Sequence, residues 1–347
     1  MDKFNVRNVI QAITIAATAL LEYEDDGANY EKFEGDATDP VIPTRTHTEN
    51  NMMGDGKPFP KQSKPLEFDP RNIPYSGLLT THIGTRILRM FQGGSVATTT
   101  NSLPATVDSL IHQKTSGETP LMANMLRKLG GEQLVHGDTF VQTVNITQSM
   151  KQQPRISSQL SNTGHLAKIS TLGLDVADIE DIPDYLTFDG NRTRVTFTDG
   201  TNNYDLIVLD VNFQGNQNVQ VEGLPKDPYY DAAHPCYGSY AQNVMIGVQS
   251  ANMTVKVYMD EDFDVFDAWL ANKKLTNVKL LFQTCEIIGS TTHHGEIEII
   301  FPIAEFTLSG GQNKDMSAFS FNIKAIEGDS VSGDLVQVRI RDTVAIS

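Results

Sequence analysis

The sequence is poor in cysteine, tryptophan and positive charge. Its two cysteines, Cys236 and Cys285, stand in a chain of 347 residues. Two thiols exclude a disulfide framework and a cysteine-built zinc site and leave at most one bridge. Free thiols in a reducing cytosol are the expectation. The single tryptophan, Trp269, argues against a carbohydrate-binding sandwich, which needs clustered exposed aromatics. Lys and Arg number 27 against 43 Asp and Glu, a formal net charge of −16. That balance argues against gripping nucleic-acid backbone, which takes clustered cations that displace counterions. It argues equally against an anionic membrane surface. An acidic surface is still compatible with DNA where its task is to repel it.

Long apolar runs are also lacking. The nearest is Val9–Leu21, which contains Gln11, Thr14 and Thr18 and leads straight into Glu22, Glu24, Asp25 and Asp26. It is too short and too polar to span a membrane. No small-residue cleavage site follows it, so it reads as a buried strand rather than a signal segment.

Chemistry-bearing motifs are scarce too. There is no Gly-x-Ser-x-Gly nucleophile elbow. Gly54-Asp-Gly-Lys57 lacks the leading glycine and the strand–loop–helix setting of a P-loop. The Asp260-Glu261-Asp262 cluster lacks the spacing of a calcium loop and reads as a helix start. Of eight histidines only His293 and His294 are adjacent, with Glu296 and Glu298 close by. Neighbours in a strand point to opposite faces, so this pair reads as a polar stretch before a strand rather than a metal-dependent hydrolase site. No catalytic, cofactor-binding or metal-ligating residues are expected, and no cofactor.

What is present is alternation. Arg194–Thr198 and Tyr204–Phe213 flank a turn signal, Asp199-Gly-Thr-Asn-Asn203. Tyr185–Phe188 precedes another, Asp189-Gly-Asn191. Phe140–Thr147 alternates, as does Met253–Met259, with Met253, Val255 and Val257 on one side. Glu296-Ile-Glu-Ile299 does the same, as do Phe319 to Ala325 and Val336 to Arg341. Such patterns belong to antiparallel sheets with one wet face, arranged as a sandwich or barrel. Two short helices are expected among them. Thr119-Pro120 supplies a start, Leu121, Met125, Leu126 and Leu129 a stripe, and Gly130-Gly131 a stop. The second covers Phe263–Lys274, acidic at its start and basic at its end. Between Asp25 and Pro74, prolines at 40, 43, 58, 60, 65, 70 and 74 block long helices and most ladders. That stretch reads either as a surface loop or as an arm ordered by a neighbouring subunit.

Taken in order, these segments resemble the major tail tube proteins of long-tailed bacteriophages. The resemblance is carried by the opening apolar strand with Glu22-Tyr-Glu24 and by Pro40-Val-Ile-Pro43. It continues through Gly77-Leu-Leu-Thr80 into Gly93-Gly-Ser95, then Thr119–Gly131 and the hairpins after it. The closing block of Met253–Met259, the acidic helix, an alternating hairpin around Gly295–Leu308 and Phe319–Ile326 completes it. No single motif is diagnostic; the order of elements carries the likeness. The chain departs from the family in its size and in its roomy middle section, Leu172–Pro235.

The resemblance implies a mainly β fold, an antiparallel sandwich or barrel of the tail tube type with short flanking helices and long arm segments. It implies an N-terminal strand and arm over 1–75 and a body over 76–347, either one unit or two related lobes (76–235 and 236–347). It implies a structural subunit and not an enzyme. Copies would form hexameric rings, or trimeric rings of fused pairs, stacked into a conduit for genome ejection. Its other partners would be tape-measure, terminator and baseplate proteins, with DNA passing unbound and no membrane contact. The implied location is the virion tail, assembled in the cytoplasm of the bacterial host. Asp205, Asp210, Glu296 and Glu298 lie on polar strand faces and are the candidate lumen residues. The alternative is another virion β-protein: a tail terminator, a baseplate ring or a capsid decoration subunit.

Overall fold

A computed structural model of the chain describes residues 10–20, 22–36, 45–49, 63–68, 72–102, 105–129, 132–198, 203–222, 243–258, 274–288, 291–309, 318–326 and 333–343. Cys236 and, of the helix expected over Phe263–Lys274, residues 263–273 lie outside them. The strand ladders of the described residues are antiparallel. The protein is mainly β, as the alternation requires.

The chain opens with β1 (Ile10–Thr14), where a buried strand is expected, and β2 (Tyr30–Lys32) pairs with it. β3 (Arg45–Glu49) and β4 (Ser63–Phe68) make a separate hairpin, and β5 (Asn72–Leu78) runs across the expected boundary at 75–76. Ladders therefore do form in the proline-rich stretch. Pro65 and Pro74 sit in β4 and β5, each with one strand partner, and at such margins a missing N–H costs little. Next come helix α1 (Ile83–Gln92), the hairpin β6 (Gly93–Ser102) and β7 (Ala105–Gln113), and β8 (Ala123–Leu129). β9 (Glu132–Ser149), β10 (Arg155–Ser161), β11 (Leu166–Lys168) and the four-residue helix α2 (Ile169–Leu172) follow. The remaining strands are β12 (Arg194–Thr198), β13 (Asn203–Asn216), β14 (Gln220–Glu222), β15 (Asn243–Met245) and β16 (Ser250–Tyr258). After them run β17 (Leu275–Ile287), β18 (His294–Ser309), β19 (Ala318–Ala325) and β20 (Gln337–Asp342).

Three sequence expectations are corrected. The helix over Thr119–Leu129 is strand β8, held between β1 and β9. Both its faces are buried: Ala123 and Met125 enter the main core, while Leu126 enters a second core with Ala12, Tyr30, Val135 and Ile169. A strand covered on both sides buries residues of either parity, so Leu121, Met125, Leu126 and Leu129 fit it as well as they fit a helical stripe, and periodicity cannot separate the two. The segment around Gly295–Leu308 is not a hairpin by itself; it is the single long strand β18, and its hairpin partner is β17. Tyr185–Phe188 makes only isolated bridges, Thr187 to Thr80 and Phe188 to Thr284.

The helix the protein does have, α1, carries Ile83, Ile87, Leu88 and Phe91 into the main core. Gly93 stops it in the left-handed conformation (φ 67°), its N–H donating to the Arg89 carbonyl. Phe91 lies over Gly215 of β13, where an added Cβ would stand 2.5 Å from the ring. The Gln217 side chain donates to the Phe91 carbonyl.

Six strands pair in a closed circuit: β13 to β12, then β17, β18, β19, β16 and back to β13. Val195, Phe197, Val255, Leu275, Phe306, Phe321 and Ile323 meet around a void of about 10 Å3. The circuit thus encloses packed side chains rather than a bore. β9, β10 and β5 extend the sheet from β13, and β20, β7 and β6 extend it from β18.

Candidate functional site: a strand edge and a polar sheet face

Register places short polar side chains in rows across the outer face of seven strands. One row runs Ser76, Ser157, Asn145, Gln214, Asn252, Lys324 and Glu305, from β5 to β18. Beside it run Arg155, Thr147, Asn212, Thr254, Asn322 and Thr307. The Thr254 hydroxyl donates to Asn322 Oδ1 at 2.8 Å. Each cation on this face has an acid beside it. Arg155 pairs with Asp36, Lys256 lies 3.9 Å from Asp210, and Lys324 faces Glu305 in register. Neutral amides and hydroxyls with compensated cations offer little for a phosphate backbone to hold.

The four candidate lumen acids do not form one group. Asp205 and Asp210 stand on β13 on either side of a bulge. Leu206 and Val208 face the core before it and Val211 and Phe213 after it, so the inserted residue changes the phase of the strand. Without it Asp210 would point into the core. Asp205 pairs with Arg194 at 2.9 Å, with both side chains half exposed. Glu296 and Glu298 lie on the first half of β18 within an ion ladder. Arg341 Nη1 meets Glu296 at 2.8 Å, and its Nε and Nη2 clasp both oxygens of Asp108 at 2.7 and 3.1 Å. Arg339 meets Glu298, 7% exposed, at 2.6 Å. Burial would raise the Asp108 carboxyl, but the Arg341 guanidinium outweighs it and holds the group below its ordinary value. All four candidate acids therefore have a cation at hand, which only the register reveals.

The open feature is an edge. Among the described residues β6 has β7 as its only strand partner. Its sequence, GGSVATTTNS, holds no charge and no proline, and Ala97, Thr98, Thr99 and Thr100 are all exposed. Proteins normally blunt such an edge with charge, proline or a cover, because bare backbone invites another strand. Two other margins are covered. Lys32 donates its N–H to the Glu180 carbonyl (3.0 Å) beside β2, and Asp36 donates to the Ser76 carbonyl (2.7 Å) beside β5. The signal for this edge in the sequence is the uncharged run after Gly93-Gly94.

Sequence reasoning also missed a buried ionic cluster at the start of α1. His82 lies 3.3 Å from Glu31 and 2.7 Å from Glu34, and Arg86 pairs with Glu31. Burial would push the His82 imidazole down; the two carboxylates outweigh it and hold it up at about 9. His293 and His294 do not converge on a common point: His294 meets Arg192 Nη1 at 2.9 Å, and His293 accepts the Ile288 N–H at its carbonyl. Cys285 is a free, exposed thiol. Among the described residues no group of three His, Cys, Asp or Glu side chains is placed to hold a metal ion, and no helix is long and apolar enough to cross a membrane.

No protein-family model and no curated protein matches this chain. The surfaces themselves carry the functional argument.

Proposed function

We propose that the chain is a major tail tube subunit of a long-tailed bacteriophage, polymerising into stacked rings around a conduit for the genome. The observation that carries this reading is the β6 edge, ten uncharged residues long with one strand partner among the described residues. A second copy adding a strand there satisfies the outward backbone groups by main-chain hydrogen bonds alone. The filled strand circuit supports the same reading: among the described residues it encloses no passage, so the conduit of this reading lies between copies. The net charge of −16 and the wide polar face with compensated cations suit a wall past which a polyanion moves without sticking.

Negative-stain microscopy of the concentrated protein tests it. Hollow filaments are the expected outcome; a monomer at every concentration overturns the reading. Single closed rings that never stack would favour a terminator or baseplate ring instead.

A further inference from the structure

A cavity of about 360 Å3 opens between the end of β1, one side of α1 and the start of β8. Its walls are largely apolar, from Ile13, Met90, Leu121 and Met122, and Arg86 and Arg89 stand in its lining. Arg86 is already neutralised by Glu31. Arg89 differs. It donates Nη1 to the Gly94 carbonyl at 3.0 Å, its Nε is buried without a partner, and among the described residues no carboxylate lies within ion-pair distance of it. Burial depresses its guanidinium, with no acid acting against that. A half-buried cation with no counter-ion among the described residues is costly.

We propose that the cavity beside Arg89 is a socket for a carboxylate carried by a second copy of this chain. Three observations favour that occupant. The cavity is apolar with an uncompensated cation, so it fits an acid side chain on an apolar segment. Every copy is rich in acids, so charge complementarity is built in. The socket is also continuous with the open edge, because Arg89 is bonded to Gly94 at the start of β6. A copy that pairs along β6 arrives beside it. Asp342 lines the cavity too and accepts the Thr343 N–H at 2.6 Å. The incoming segment therefore has its carboxylate toward Arg89 and neutral groups toward Asp342. The inference deepens the edge-pairing reading above and rests on it.

The test compares wild type, Arg89→Met, Ala17→Trp and Thr98→Lys/Thr100→Lys by sedimentation velocity across a concentration series and by negative-stain microscopy. Ala17 is exposed and lines the cavity, so tryptophan there plugs the socket without entering the core. Of the two socket variants, Ala17→Trp should keep the monomer's melting temperature, since Ala17 is exposed. Both should raise the concentration for half-assembly by at least about tenfold, and wild-type assembly should weaken with added salt. If the two socket variants assemble like wild type while the edge variant does not, the socket falls and the tube reading stands. If assembly depends on Arg89 but ends in closed dimers, the socket stands and the tube reading falls. A wild-type chain that stays monomeric overturns both. Should Arg89→Met fail to fold, the plugged variant decides alone.

Discussion

Two kinds of charged pair behave differently in this protein, and exposure decides which. His82 is buried between Glu31 and Glu34, and its imidazole is held up at about 9 against an ordinary value of 6.5. The stabilisation from its charge is complete below about 6.5 and is lost as pH rises through 9. Burial raises Glu31 and Glu34, yet both sit below their ordinary value because the His82 hydrogen bonds, joined by Arg86 at Glu31 and by Thr80 at Glu34, together outweigh it, so their share is lost on the acid side. His82→Gln should cost about 2 kcal/mol near pH 6. In urea titrations the gap from wild type should close toward pH 10; a gap independent of pH would contradict the charged imidazole. Arg341→Met strips a cation from Asp108 and Glu296, whose side chains are 16% and 14% exposed, and should cost roughly 2–4 kcal/mol. Arg194→Met touches a pair exposed by half on each side and should change stability by under about 0.5 kcal/mol. Equal losses in the two variants, read by thermal unfolding, would refute the distinction.

At the level of elements, the contact between α1 and β13 has little slack. The Phe91 ring fills the space a side chain at position 215 would need. Gly215→Val should cost about 1–3 kcal/mol through overpacking. Phe91→Leu in the same chain should restore part of the loss in melting temperature, and a purely additive double variant would show that the two positions do not meet. The β6 edge is the opposite case, an element with no strand partner beyond β7 among the described residues. Lysines at 98 and 100 should leave the subunit's unfolding midpoint unchanged, since both positions are exposed. They should abolish strand addition, because charge on an edge opposes pairing. Filaments of the lysine variant under the microscope would rule out β6 as the joint.

For the whole molecule, the closed strand circuit has a consequence for assembly. A sheet closed on itself removes most edges, and among the described residues the branches from the circuit have ends at β2, β5 and β6, of which the β2 and β5 margins carry further backbone hydrogen bonds. Association through the β6 edge adds a ladder without unfolding any existing one. Far-ultraviolet circular dichroism should therefore change little on assembly, while amide exchange slows across Gly93–Ser102. Protection confined to other strands would place the contact elsewhere.

The sequence by itself determined the class of fold, because alternation such as Met253, Val255 and Val257 against Thr254 and Lys256 has one physical solution, a half-wet antiparallel strand. It determined the hairpin of β12 and β13 through its turn residues, and the acidic surface through composition. It left β8 ambiguous, since Leu121, Met125, Leu126 and Leu129 suit both a helical stripe and a strand covered on both faces. It also left α1 undetected, although Ile83, Ile87, Leu88 and Phe91 repeat at helical spacing before Gly93. Only the tertiary structure decided, among the described residues, which acids are compensated, that β6 has one strand partner and that Arg89 has no acid within ion-pair distance. Those properties depend on register and on contacts between residues as far apart as Asp108 and Arg341, and local pattern holds no record of them.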